Sequence, residues 1–175
     1  MRSYWPSQTR NPLGVYNTLS WEEIGALFRL VDEFDITTFI EFGVFRGGLS
    51  SLMISRTMFD FDFRYCGVEK DLGKIDYKII AACEHNPRAT IYVGDVFADD
   101  VKTLVGNYAR RKPLLLFCNA SDRVKELLEY LPIIDTGDVL VSRCLYDGSI
   151  IELKTKVKQL NMVYLNDTRL VVFRK

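Results

Sequence analysis

The sequence predicts an α/β fold: a mainly parallel sheet covered by helices on both faces, with a closing antiparallel hairpin. Three observations predict it. Short β-branched and aromatic runs alternate with longer runs of helical periodicity. The strand-like runs are nearly continuously apolar, as strands buried on both faces are. The last two runs, "MVYLN" and "TRLVVFRK", are separated only by a polar turn around Asn166-Asp167, which reads as a hairpin.

The elements follow in order. Residues 1–17, with Pro6, Pro12 and Gly14, read as an irregular arm, and residues 18–175 as one domain. "LSWEEIGALFRLVDEF" opens with a capping box, Ser20 as N-cap and Glu23 three residues on, and its Ile24, Leu27, Phe28 and Val31 recur at helical spacing. "TTFIEF" is a buried strand and "GLSSLMISRTMF" a helix. "FRYCGVE" is the second strand, and "LGKIDYKIIAACEH" a helix ended by Asn86-Pro87. "ATIYVGD" is the third strand, with a helix over 98–109 behind it. "PLLLFCN" is the fourth, followed by "SDRVKELLEYL", a helix with Ser121 as N-cap and Val124, Leu127, Leu128 and Leu131 on one face. "GDVLVSRC" is the fifth, "GSIIELKTKVKQL" a helix, and the hairpin brings the expected sheet to seven strands.

Composition narrows the function classes. Lys+Arg and Asp+Glu are both 23, so the formal net charge is zero, which argues against gripping a nucleic-acid backbone or an anionic membrane. No CxxC spacing occurs among Cys66, Cys83, Cys118 and Cys144, and these read as free thiols in a reducing compartment. No apolar run approaches the roughly 18 residues of a spanning helix, and "MRSYWPSQTR" lacks the apolar region of a secretory signal. The expectation is a cytoplasmic protein.

In a sheet of this kind, ligands lie beyond the carboxyl ends of the strands, near the topological switch point. After the first strand come Glu41, Gly43, Phe45, Arg46, Gly47 and Gly48. Glycines let the chain turn tightly and a ligand approach without a Cβ in the way, and the following helix start favours an anionic group. After the second strand comes Glu69, 28 residues past Glu41, or one β-α-β step; an acid there can accept from both hydroxyls of a ribose. After the third comes Asp95, able to accept from an exocyclic amine or to cap the next helix, with Val96 and with Phe97, which can stack on a purine. After the fourth comes Asn119.

The ordered set "EFGVFRGG", "GVEKD", "VGDVF" and "LLLFCNAS", with its terminal hairpin, resembles the class I S-adenosylmethionine-dependent methyltransferases over residues 20–175. The E-x-G-x-x-x-G loop is most similar to the group of catechol and macrocin O-methyltransferases and cephalosporin hydroxylase-like proteins. The resemblance implies a Rossmann-like fold, S-adenosylmethionine as cofactor and transfer of a methyl group to a small-molecule acceptor. It implies that Gly43 and Gly47, with Phe45 and Gly48, line the methionine end, that Glu69 holds the ribose, and that Asp95, Val96 and Phe97 meet the adenine. Glu41 then shapes the loop and is a candidate contact for the cofactor amino group, and Asn119 borders the cofactor.

The chain departs from that group at the metal. The group commonly binds a divalent cation through an acid after the fourth strand and an acid-Asn pair after the fifth; here those positions are Asn119 and Arg143-Cys144. A guanidinium is hostile to a hard cation, so a metal-independent reaction is expected. Asn119, Asp122, Arg143 and Tyr146 are candidates on the acceptor side, with Asp147 and Arg46 nearby in sequence, and the catalytic group itself is open. His85, in "CEHNP", falls on the far side of the sheet and is no candidate base. Two other readings stay open: a methyltransferase-like domain that has lost its chemistry and serves as a binding module, and a different nucleotide enzyme such as an NAD(P)-linked oxidoreductase. A homo-oligomer is a further possibility, because the chain has little room for a separate substrate domain.

Overall fold

The computed structural model describes residues 19–111, 113–143, 155, 161–164 and 168–174. The expected arm at 1–17, most of the helix expected at 148–160, the hairpin turn, Cys144, Tyr146 and Asp147 lie outside the described residues.

The chain alternates as expected. Helix α1 (Trp21–Glu33) precedes strand β1 (Thr38–Phe42), and α2 (Gly48–Phe59), β2 (Arg64–Glu69), α3 (Tyr77–Glu84), β3 (Ala89–Val93), α4 (Asp99–Ala109), β4 (Leu114–Cys118), α5 (Arg123–Tyr130) and β5 (Val139–Arg143) follow. Strands β6 (Asn161–Tyr164) and β7 (Leu170–Arg174) close the sheet. The strand order is β3-β2-β1-β4-β5-β7-β6. Strands β1 to β5 pair in parallel, and β7 runs antiparallel to both β5 and β6. The order reverses between β1 and β4, so the switch point lies where the glycine loop after β1 meets the segment after β4.

The period of two along a strand divides the core between the sheet's faces. Phe39, Leu115, Phe117, Val139 and Val141 pack with Leu27, Met53 and Ile79 of α1, α2 and α3. Ile40, Phe42, Leu114, Leu116 and Cys118 pack with Val101, Val105, Leu127 and Tyr130 of α4 and α5. Every residue of β1 and β4 is buried, and each large apolar side chain so placed is worth roughly 1.5–3 kcal/mol against exposure. Among the described residues no helix is long and apolar enough to cross a membrane.

Local hydrogen bonding corrects three expectations. The helix expected from Leu72 to His85 is broken: a 3-10 turn spans Leu72–Lys74, Ile75 is extended, and α3 begins only at Tyr77. Two aspartates cause the break, since Asp71 accepts from Gly73 N and Asp76 from Lys78 N, so each starts its own turn. The N-cap of α5 is Asp122, accepting from Lys125 N at 3.1 Å, and not Ser121. Ser121 is taken by the buried Glu126, whose Oε1 accepts its backbone N–H at 2.6 Å. Asp95 does not cap α4, which has Ala98 at that position; it accepts from Phe97 N at 3.0 Å inside the preceding turn. The capping box of α1 is present, with Glu23 Oε2 accepting from Ser20 N at 2.9 Å and Ser20 Oγ from Glu23 N at 3.2 Å.

Candidate functional site

At the carboxyl ends of the parallel strands the chain forms a cleft of about 600 Å³. Gly43 and Phe45 come to it from the loop after β1, Val68, Glu69, Lys70 and Lys74 from the end of β2 and beyond, and Asp95, Val96 and Phe97 from the turn after β3. Asn119, Ala120, Ser121 and Arg123 border it after β4, and Arg143 after β5. A second hollow, of about 530 Å³, lies between α3 and the start of β3 and contains His85; the carboxyl-end residues do not reach it.

The glycine loop owes its path to left-handed backbone. Gly43 has φ +79, and a Cβ there would stand 2.8 Å from Ala120 Cα and from Asn119 O, so the two crossover segments touch through this glycine. Gly47 has φ +80, and a Cβ there would meet Ile79 Cγ1 at 2.4 Å. Between them Phe45 also takes a positive φ of +50, which a non-glycine residue adopts only when held. What holds it is Glu69, whose Oε2 accepts from Phe45 N at 2.9 Å while Oε1 accepts from Asp71 N at 3.3 Å. A carboxylate has about four acceptor positions, so each oxygen keeps one for a ligand.

Glu41 is elsewhere. It is buried with the α2 side of the core, and its Oε2 accepts from Ser50 Oγ and Tyr65 Oη, both at 2.6 Å. Burial is the largest influence on its carboxyl and raises the pKa to about 7; the hydrogen bonds from Ser50 and Tyr65 pull the other way, and the nearby Glu69 charge adds to the rise. Glu41 therefore ties β1, α2 and β2 together beneath the loop and does not line the cleft. Gly47 and Gly48 are likewise buried behind the loop, outside the cleft wall.

The turn after β3 is fixed by charge. Lys70 Nζ donates to Asp95 Oδ2 at 2.7 Å, which, with the Phe97 amide, holds the Asp95 carboxyl below its ordinary range. Tyr130 donates to the Val96 carbonyl, and Lys125 Nζ lies 4.0 Å from the centre of the Phe97 ring, covering one of its faces.

The far end of the cleft is different in character. Asn119 Oδ1 and Arg123 Nε are shut off from solvent with no hydrogen-bond partner in the structure. Arg143 Nε donates to Glu23 Oε1 at 3.0 Å, and Arg169 Nε reaches the same oxygen at 3.2 Å. Asp122, the α5 cap, is exposed and absent from the cleft wall, and exposed Arg46 is absent from it too. His85 is exposed at the C-terminus of α3, its Nδ1 3.0 Å from the Ala81 carbonyl. Among the described residues no group of three His, Cys, Asp or Glu side chains is placed to hold a metal ion.

Of the residues expected from sequence, Gly43, Phe45, Glu69, Asp95, Val96, Phe97, Asn119 and Arg143 come together in one cleft. Lys70, Lys74 and Arg123 line it without having been expected there. Lys70 had a signal, standing between the strand-end acids Glu69 and Asp71; Arg123 had none, since a first-turn arginine reads as a solvated helix face.

No protein-family model matches the chain, and no curated protein matches it. Solved structures do. A CmcI structure with SAH superposes with a TM-score of 0.70 at 19% identity, covering 99% of this chain and 85% of that one. CmcI with magnesium and SAM gives 0.65 at 18% identity, covering 99% and 78%. An O-methyltransferase from Bacillus cereus in complex with SAH gives 0.62 at 12% identity, covering 98% and 84%. At these identities the likeness is one of architecture: the chain has the fold of these structures.

Proposed function

We propose that the protein is an S-adenosylmethionine-dependent methyltransferase acting on a small molecule. One observation carries the reading: residues from five strand ends meet in one cleft with a close-approach glycine, a ribose-type acid and an aromatic face in the order an adenosyl group needs. The neighbours with SAM or SAH in their structures support the same cofactor.

The residues fit that group. Gly43 keeps the cleft floor free of a side chain where the cofactor would pass. Glu69, its two backbone donors in place, offers the remaining acceptor position of each oxygen to a ribose diol. The Phe97 face not covered by Lys125 is a stacking surface for the adenine, with Asp95 beside it. Asn119 Oδ1, buried without a donor, stands at the junction between cofactor and acceptor. Held there, S-adenosylmethionine would supply an electrophilic methyl group to an acceptor lone pair, with the acceptor's proton released to solvent. Alignment is most of what such a transfer requires, so these residues act by binding and orientation, without a strong base.

The reaction we infer is metal-independent. Among the described residues, the cleft wall after β4 and β5 offers the Asn119 amide oxygen, the Ser121 hydroxyl and two guanidiniums, with no carboxylate, a donor set unsuited to magnesium or calcium. Cytoplasmic residence, a small-molecule acceptor without nucleic-acid contact, and a possible second subunit closing the cleft belong to the same reading. A melting screen of the protein against adenosine derivatives tests it: stabilisation by SAM or SAH is expected, and a response to other nucleotides alone would contradict it.

A further inference from the structure

The acceptor end of the cleft is cationic, and its cations come from separate elements. Arg123 opens α5 and Arg143 ends β5, and both line the cleft beside Asn119. Arg143 is fixed, its side chain 11% exposed and its Nε on Glu23. Among the described residues, Glu23 shares one oxygen between Arg143 and Arg169, so a single buried carboxylate answers two guanidiniums. The acids near Arg123 are committed: Glu126 accepts from Ser121 N at 2.6 Å and Ala120 N at 3.4 Å, and Asp122 caps Lys125 N. Elsewhere on the wall Lys70 is matched by Asp95, while Glu69 holds the loop. Arg123 Nε, buried and unpartnered, lacks an acceptor, and Asn119 Oδ1 lacks a donor.

Resting on the reading of this cleft as a methyl-transfer site, we propose that the acceptor is a small anion that also carries a hydroxyl. Its carboxylate or phosphate is gripped by Arg123 and Arg143, and its hydroxyl donates to Asn119. A planar guanidinium matches either anion with paired, charge-assisted hydrogen bonds, and a small rotation of the Arg123 side chain satisfies its orphaned Nε. The arrangement also explains why arginine stands where a metal ligand would otherwise be expected: the positive charge that orients the acceptor is part of the chain.

Calorimetry on the full chain saturated with SAH tests this. The probes are 4-hydroxybenzoate, 4-hydroxyphenyl phosphate and the neutral 4-hydroxybenzamide, against the unmodified protein, Arg123→Gln and Arg123→Lys. At least one anion is expected to bind at least about tenfold more tightly than the amide, and the better of the two identifies carboxylate or phosphate. Arg123→Gln is expected to weaken that anion about tenfold or more, exceeding any change in SAH affinity, with Arg123→Lys in between. Equal binding of the amide, no binding of either anion, or an anion affinity indifferent to Arg123→Gln overturns the proposal. Failure of the unmodified protein to bind SAH contradicts the methyl-transfer reading instead, and the same titrations without SAH then report on the arginine site by itself.

Discussion

Glu69 and Phe45, 24 residues apart, are joined by a hydrogen bond of 2.9 Å from the Phe45 amide to the Glu69 carboxylate. The acid expected to hold a ribose also holds the strained turn of the glycine loop, at a non-glycine residue with φ +50. On the proposed reading, cofactor affinity and loop order are coupled through one side chain.

Glu69→Ala is predicted to lose both. Cofactor binding should weaken by roughly 1.5–3 kcal/mol, because charge-assisted bonds to the diol go. The free protein should also lose about 1 kcal/mol, since two backbone amides exchange a carboxylate for water. Glu69→Gln should be intermediate in both. Calorimetry with SAH and urea unfolding of the free protein separate the effects; an alanine variant with unchanged SAH affinity would remove Glu69 from the site.

The loop glycines are predicted to rank. Gly43→Ala and Gly47→Ala both force a side chain into left-handed backbone, costing about 1–3 kcal/mol each. Gly43→Ala should be the worse, because its Cβ meets the backbone of Ala120 and Asn119, whereas that of Gly47 meets the movable side chain of Ile79. Denaturant midpoints of the two variants decide the order, and the reverse order would mean that β4's following segment yields more easily than α3.

Glu41 predicts a pH dependence. Its pKa is about 7 in the folded protein against an ordinary carboxyl value of 4.5, so over that window the folded state holds a proton the unfolded state has released. Its contribution to stability is fully present below pH 4.5 and is lost as pH rises through 7, a loss of about 3 kcal/mol. Glu41→Gln, which cannot ionise, should remove that slope. Unfolding free energies of both proteins between pH 5 and 8, taken as a difference, check it; parallel curves would show that Glu41 ionises normally.

Chelation should leave cofactor binding unchanged. SAH affinity in excess EDTA is predicted to equal that in millimolar magnesium, and the same is expected of turnover on any acceptor that the protein methylates. Loss of turnover with EDTA, restored by magnesium, would mean that acids beyond Asn119 and Arg143 rebuild a cation site.

The parts legible in the sequence are those written locally. Alternating apolar runs gave the parallel strands, Ser20 and Glu23 gave the start of α1, and positions just after strand ends gave Gly43, Glu69, Asp95, Phe97 and Asn119. Competition among caps was harder to read. Asp71 and Asp76 divide what a hydrophobic pattern joins, and Glu126 takes Ser121 away from its helix. Long-range partners left no trace at all. Glu23 read as half of a capping box, yet it is also the anchor of Arg143, 120 residues away. Glu41 stands in line with the site residues, but strand alternation turns it toward Tyr65 and Ser50.

The most direct test of the proposed function is an isothermal titration of the purified protein with SAM, SAH and NAD. Binding of SAM and SAH, with NAD undetected at the same concentrations and the SAH signal weakened in Glu69→Ala, is the predicted result. Binding of NAD with neither sulfur nucleoside bound would contradict it.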